Sequence, residues 1–219
     1  MSTRKVSFIE GEYYHIYNRG NSKQTIFHDK QDYNRFMKLL FLSNGKENFK
    51  IDYIGNKNIY DFERGDNLVA IGSYCLMPNH FHLLLTQKID GGISKFMQKI
   101  TTAYSMYYNK KYIRTGSLFE GKFKSIHIEE DRYLKYLFSY IHLNPVKLIN
   151  KNWKKEIIKN KKNIIDFLEQ YKYSSYLDYL KEERIEKIIL ESKSFPKYFL
   201  TKDSIKKEVF EWLSYNDKI

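Results

Sequence analysis

The stretch that decides the fold of this chain is LVAIGSYCLMPNHFHLLLTQ, at residues 68–87. Two runs rich in β-forming residues, 68–76 and 81–87, are separated by only Met-Pro-Asn at 77–79. A connection of this length is typical of a hairpin, so the stretch predicts two neighbouring antiparallel strands.

The segments on either side of this hairpin alternate between strand and helix patterns. Residues 13–19 (YYHIYNR) are rich in β-formers and end at a Gly-Asn turn signal, which predicts a first strand. Apolar residues at helical spacing predict three helices: one capped by Asp32, one that begins at Gly91-Gly92 and one capped by Asp131. Alternating apolar residues predict a further strand at 123–128. Strands with intervening helices on one face predict an α+β fold.

Composition narrows the class of protein. The 219 residues carry a net charge of +12 and include 20 tyrosines and 15 phenylalanines. This combination favours a nucleic-acid partner, although a lysine-rich solvated surface over an aromatic core explains it equally well. A single cysteine, Cys75, excludes an intramolecular disulfide and a cluster of zinc-binding thiolates. The single cysteine suits a reducing cytoplasm, and no stretch has the roughly 20 apolar residues of a membrane span, so we expect a soluble cytoplasmic protein.

Two histidines in the second strand of the hairpin form the first candidate site. His80 and His82 lie two residues apart, so on a strand they project from one face about 7 Å apart while Phe81 enters the core. Two imidazoles in this arrangement can bind one metal ion. An isolated H-x-H is more often a pair of polar residues on a solvated face, so the spacing alone is weak.

A tyrosine and an asparagine on the helix capped by Asp131 form the second candidate site. Tyr140 and Asn144 are four residues apart and therefore lie on the same helix face. The amide oxygen can complete a two-imidazole site for Mg²⁺ or Mn²⁺, and the phenol beside it is a candidate nucleophile. Pro145 should end or kink this helix, because proline removes a backbone donor.

Other residues compete for these roles. The preceding helix carries a second tyrosine and asparagine group, whose spacing fits packing or base stacking equally well: Tyr104, Tyr107 and Tyr108 before Asn109. His127, on the last predicted strand, is a further candidate ligand. The remaining histidines are expected to be surface or hydrogen-bonding residues: His15, His28 and His142.

Taken together, the motifs resemble the IS200-type Y1 transposases, and most closely the REP-associated tyrosine transposases. The resemblance covers about residues 12–180 and is carried by five segments: MPNHFHLL at 77–84, YIHLNPV at 140–146, YHIYNRG at 14–20, GSLFEGKF at 116–123 and YSSY at 173–176. It implies a ferredoxin-like antiparallel sheet with helices on one face. Residues 1–149 would form this HUH-type catalytic core, and residues 150–219 a helical, lysine-rich extension packed on or beside it.

The resemblance also implies roles for individual residues. His80 and His82 match the metal-binding histidines of the family, Tyr140 its nucleophile, and Asn144 the polar residue that completes the metal site, where some members have Gln. The implied activity is a metal-dependent single-stranded DNA endonuclease and strand transferase. It would recognise DNA hairpins and cut through a 5′-phosphotyrosine intermediate.

The partner implied is single-stranded or hairpin DNA, without a membrane, and with the protein as a monomer or a homodimer. Candidate DNA-binding residues flank the proposed site: Arg19, Arg114, Phe119, Lys122 and Lys124. A solvated basic face explains any single lysine as well. Two other functions stay open: a catalytically silent hairpin-binding protein, and another HUH enzyme such as a replication initiator or relaxase.

Overall fold

A four-stranded antiparallel sheet lies at the centre of the computed structural model, which describes residues 7–51, 58–153, 160–180 and 183–214. The strands are β1 (Tyr13–Arg19), β2 (Val69–Met77), β3 (His80–Gln87) and β4 (Lys124–Ile128). Their order in the sheet is β2-β3-β1-β4, and every pairing is antiparallel. β2 and β3 form the expected hairpin, so the antiparallel α+β class is confirmed.

Six α-helices accompany the sheet in the described part of the chain. They are α1 (Lys30–Leu42), α2 (Gly92–Lys111), α3 (Asp131–Leu143), α4 (Lys161–Leu168), α5 (Tyr176–Leu180) and α6 (Lys202–Ser214). After α3 the chain tightens into a 3₁₀ turn, Asn144–Leu148, with Pro145 in its first turn. None of these helices combines the length and the apolar character needed to cross a membrane.

The helix caps differ from those expected. α1 begins after Asp29, whose carboxylate accepts the backbone N–H of Asp32 at 3.0 Å. Asp32 is instead fully buried and accepts hydrogen bonds from neighbouring side chains. The residue at the cap position of α3 is Glu130, which makes no side-chain capping bond. The cap of α1 therefore lies three residues before the expected Asp32, and the cap of α3 lies one residue before the expected Asp131.

Helices cover both faces of the sheet, and the expectation of a single covered face is wrong. Phe81, Leu83 and Leu85 of β3 pack into the core that α1 and α2 complete. Leu84 of β3 lies on the opposite face, where it packs with the apolar side of α3. Every residue of β2 is buried. A strand that is apolar on both sides needs cover on both sides, which is why α3 occupies the face opposite α1 and α2.

The described residues after α3 contact the end of α3 and the edge strand β2. Leu143 and Val146, at the end of α3, share an apolar cluster with residues from α4, α5 and α6. The backbone at 173–175 lies along the edge strand β2, with Leu76 N donating to Tyr173 O and Ser175 N to Tyr74 O, both at 2.9 Å. This pairing covers an edge that would otherwise present unpaired backbone groups.

Ser175→Ala is expected to weaken this attachment. The fully buried Ser175 Oγ accepts the backbone N–H of Tyr74 at 2.9 Å and lies 2.8 Å from His142 Nε2. Alanine would leave both buried nitrogens without that partner, so the free energy of unfolding should fall by about 1–3 kcal/mol in a urea titration. The exposed Ser192→Ala is the matched control, with a change within about 0.5 kcal/mol. Equal stability of the two variants would contradict the prediction.

Candidate active site

Three histidines lie on the sheet face that α3 covers. In the register between β1 and β3, Tyr17 stands opposite His82, and Arg19 stands opposite His80. His15 precedes Tyr17 by two residues and therefore projects from the same face. The antiparallel pairing thus brings side chains from two distant segments to one place.

The orientation of His80 is set by its neighbour in the hairpin turn. His80 Nδ1 lies 2.6 Å from Asn79 Oδ1, while the amide nitrogen of Asn79 donates to Lys23 O at 3.1 Å. An amide oxygen only accepts, so Nδ1 of His80 carries the proton and Nε2 keeps its lone pair. Metal-binding imidazoles commonly show this arrangement.

His82 is held by a second imidazole. Its Nδ1 lies 2.9 Å from His15 Nε2, and the two rings stack with centroids 5.0 Å apart. Both side chains are buried, with 7% of His82 and 4% of His15 exposed. The rings of His80 and His82 meet edge to face, also at 5.0 Å between centroids, so the expected convergence of the two histidines is observed.

α3 places Tyr140 against the rings of His82 and His15. The ring centroid of Tyr140 lies 5.7 Å from that of His82 and 5.9 Å from that of His15, edge to face in both cases. Asn144, one turn later, donates from Nδ2 to the Tyr140 backbone oxygen at 2.9 Å, and its side chain also hydrogen-bonds the phenol. The spacing argument from the sequence therefore identifies residues that do meet.

Lys147 is a site residue that the sequence reasoning missed. Its Nζ donates to Asn144 Oδ1 at 3.2 Å and lies 5.9 Å from the centre of the Tyr140 ring. The sequence signal for Lys147 is its position three residues after Asn144, because residues three apart lie on the same side of a 3₁₀ turn. The ammonium adds a positive charge beside the two histidines.

Burial sets the protonation of the histidines. Loss of hydration lowers the pKa of His15 and of His80 to about 4, the latter with help from the charges of Lys147 and Arg19. The pKa of His82 falls well below its ordinary value, first through burial and then because a proton on His82 would be repelled by its neighbours, Lys147 among them. All three imidazoles are therefore neutral at pH 7, the form that binds metal ions.

Burial acts on Tyr140 in the opposite sense. It raises the pKa of the phenol, and the hydrogen bond from Asn144 opposes this only in part. At neutral pH the phenol is therefore protonated, and attack by its oxygen requires loss of that proton.

The donor set fits a divalent cation of the Mg²⁺ or Mn²⁺ type. His80 offers Nε2, His82 offers its Nε2 when Nδ1 carries the proton, and Asn144 offers an amide oxygen. Within the described residues no cluster of three or more His, Cys, Asp or Glu side chains could hold a metal ion. A site here therefore depends on the amide as third protein ligand and leaves positions for water or phosphate.

The competing tyrosines lie on the other side of the sheet. Tyr104 and Tyr108 donate to the backbone oxygens of Ile26 and Thr25, and Tyr107 donates to Asp32. They belong to the core formed with α1, not to the face that carries His80 and His82. Tyr140 is thus favoured by position over the second tyrosine and asparagine group.

The other histidines are also accounted for. His127 stands opposite Tyr14 in the β1–β4 register, on the face away from the site, and bonds Glu12 at 2.9 Å. His28 pairs with Tyr108, and His142 is buried against Ser175. His15 is hydrogen-bonded, as expected, but its partner is the candidate ligand His82.

The candidate DNA-binding residues have mixed surroundings. Lys122 and Lys124 are exposed, Arg19 forms an ion pair with Glu120, and Arg114 donates to Gln24 Oε1 at 2.9 Å. Phe119 is only 6% exposed and packs against Phe81 and Tyr104. The Phe119 ring is therefore part of the core, and the role of Phe119 in DNA binding stays a prediction.

Comparisons with known proteins give a family and two similar structures. The model of the family described as IS200-like transposase matches residues 9–144. A structure of a REP-associated tyrosine transposase bound to a REP hairpin is 12% identical, with a TM-score of 0.48 over 82% of this chain and 85% of that chain. A transposase structure from Deinococcus radiodurans R1 is 13% identical, with a TM-score of 0.37 over 64% of this chain and 95% of that chain.

No curated protein sequence matches the chain. The family model spans more than half of the chain and includes β1 to β4, the candidate histidines, Tyr140 and Asn144. The chain belongs to the family of IS200-like transposases.

Proposed function

We propose that this transposase is a metal-dependent single-stranded DNA endonuclease and strand transferase that acts on hairpin-bearing DNA through Tyr140. The observation that carries the proposal is the contact of the Tyr140 ring with His82, one helical turn from Asn144. A phenol, two neutral imidazoles and an amide then lie close together on one face of the sheet. The hairpin as substrate follows the sequence resemblance to the REP-associated transposases.

The chemistry transfers a phosphoryl group from DNA to the protein. A divalent cation, when bound by His80, His82 and Asn144, would neutralise charge on the scissile phosphate. The Tyr140 oxygen forms a bond to phosphorus as the bond from phosphorus to O3′ breaks. The phenol loses its proton, and the departing O3′ gains one. The products are a 5′-phosphotyrosine and a free 3′-OH.

The covalent product explains how the enzyme would join strands. The phosphotyrosine keeps the energy of the phosphodiester, so attack by a second 3′-OH reseals the DNA and releases Tyr140 without ATP. A hydrolytic nuclease loses that energy to water. Strand transfer therefore requires the phosphotyrosine bond to persist until the 3′-OH of a second DNA end reaches it.

The arrangement supports a monomer that acts in cis. Tyr140 and both candidate metal-binding histidines meet within one chain, and α3 is anchored to the same sheet that carries the histidines. No second copy is needed to complete the site. Binding of the polyanionic partner is supported by the net charge of +12 and by exposed Lys122 and Lys124.

The direct test is formation of a covalent adduct. Purified protein is incubated with single-stranded hairpin DNA from the flanks of its own gene, labelled at either the 5′ or the 3′ end, with Mn²⁺ or with EDTA. We expect a band on a denaturing protein gel that carries only the 3′ label and requires Mn²⁺. Binding without any adduct would contradict the proposed enzyme and favour a silent hairpin-binding protein.

Lys147→Met is expected to slow cleavage by about 10- to 100-fold at saturating Mn²⁺, because a phosphate anion is the natural partner of an ammonium at this position. Lys147→Arg keeps the charge and should retain most of the rate. Single-turnover rates on the labelled hairpin provide the measurement. Equal rates for the Met and Arg variants would show that the charge of Lys147 has no part in the reaction.

A further inference from the structure

His15 is a buried polar residue to which the proposed reaction assigns no role. It lies on β1, between two neighbouring strands, with only 4% of its surface exposed. Among the described residues, the hydrogen-bond contact of His15 joins its Nε2 to Nδ1 of His82 at 2.9 Å. Its other nitrogen, Nδ1, is buried and has no hydrogen-bond partner among the described residues. The imidazole therefore directs its polar contact to His82.

A single proton lies between the two rings, and its position decides what His82 can do. If His15 supplies the proton, the proton of neutral His82 must be on Nε2, and His82 has no lone pair for a metal ion. If His82 supplies it from Nδ1, then Nε2 of His82 is left with its lone pair. Only the second arrangement is compatible with His82 as a metal ligand.

We propose that His15 is a positioning residue whose Nε2 accepts a hydrogen bond from Nδ1–H of His82 and thereby holds His82 in the tautomer that binds metal through Nε2. The inference rests on the proposed function for the presence of the metal ion. Asn79 has the same relation to His80, because its amide oxygen accepts a hydrogen bond from Nδ1–H of His80 at 2.6 Å. Both candidate ligands thus have a dedicated acceptor.

The sheet fixes the geometry that this role requires. His15 pairs with Leu84 and Tyr17 pairs with His82, so His15 and His82 are diagonal neighbours on one face of two central strands. The rings are nearly parallel, with 25° between their planes. A residue held by strand register cannot turn away easily, which suits a group that orients another side chain.

The first test measures Mn²⁺ affinity in the absence of DNA by isothermal titration calorimetry. His15→Phe keeps a ring of similar size but removes the acceptor, and we expect Mn²⁺ binding to weaken by about 10- to 100-fold. His15→Gln restores an acceptor oxygen and should bind within about threefold of the unchanged protein. His127→Phe, on the opposite face of the sheet, is the matched control and should leave the affinity unchanged.

The second test needs no substitution and therefore stands even where a variant does not fold. Protein labelled with ¹⁵N-histidine and saturated with Mg²⁺ is examined by long-range ¹H–¹⁵N correlation, which reports the protonated nitrogen of each ring. We expect His82 to be protonated on Nδ1 and His15 on Nδ1 alone. A proton on Nε2 of His82, or equal Mn²⁺ affinity of the Phe and Gln variants, would overturn the proposal.

These readouts separate the role of His15 from the proposed function. Metal binding that depends on His15, in a protein that forms no DNA adduct, would support the positioning role and contradict the nuclease. If the unchanged protein forms the adduct and His15→Phe keeps its full Mn²⁺ affinity, the nuclease would be supported and the positioning role contradicted. Absence of any Mn²⁺ binding by the unchanged protein would overturn the role of His15.

Discussion

Tyr140→Phe is expected to eliminate the covalent DNA adduct while hairpin affinity stays within about threefold of its original value. The substitution removes only the hydroxyl oxygen that would attack phosphorus, and the ring keeps its packing against His82 and His15. Affinity for DNA is dominated by contacts to the phosphate backbone, so one hydroxyl contributes little to it. Adduct formation on a denaturing gel and hairpin binding by fluorescence anisotropy measure the two effects separately.

Tyr17 offers a demanding control for this prediction. Its ring centroid lies 5.8 Å from that of His82, almost the same distance as the Tyr140 ring. Tyr17 projects from β1, however, whereas the hydrogen bond from Asn144 is made to the Tyr140 phenol. Tyr17→Phe should therefore keep the adduct. Loss of the adduct in Tyr17→Phe and its survival in Tyr140→Phe would assign the nucleophile to β1 instead.

Local patterns were sufficient for the parts of the site that depend on local geometry. The alternation of β3 places His80 and His82 on one face, and helical spacing places Asn144 beside Tyr140. Both relations are fixed by the period of a single strand or helix. The antiparallel hairpin could be predicted for the same reason, because so short a connection between two strand patterns favours antiparallel pairing.

Contacts that depend on the pairing of distant segments could not be derived in this way. The hydrogen bond between His15 and His82 requires the β1–β3 register, which no spacing within either strand reveals. The position of α3 opposite α1 and α2 depends on β2 being buried on both faces and on Leu84 of β3, which packs with α3. The position of Phe119 in a glycine-rich loop likewise gives no sign that its ring packs into the core against Phe81.

His80→Ala is expected to abolish Mn²⁺ binding and to lower the cleavage rate by about 10³-fold or more. Metal ions supply several kcal/mol of charge stabilisation in the transition state, and each 1.36 kcal/mol corresponds to about a factor of ten in rate. His80 is a better target than His82 because it is only half-buried, so alanine disturbs the core less. Calorimetry with Mn²⁺ and single-turnover cleavage provide the measurements, with His127→Ala as the control on the other face.

The double variant distinguishes a shared metal ion from two independent roles. If His80 and His82 act only by holding one cation, the first substitution already removes its contribution, and His80→Ala with His82→Ala should be hardly slower than His80→Ala alone. Independent contributions would instead multiply, because effects at unconnected sites add as free energies. Hairpin affinity in EDTA should be the same for all these variants, since the histidines face Tyr140 and not the exposed lysines. A multiplicative loss of rate would show that at least one histidine acts on the DNA or on Tyr140 directly.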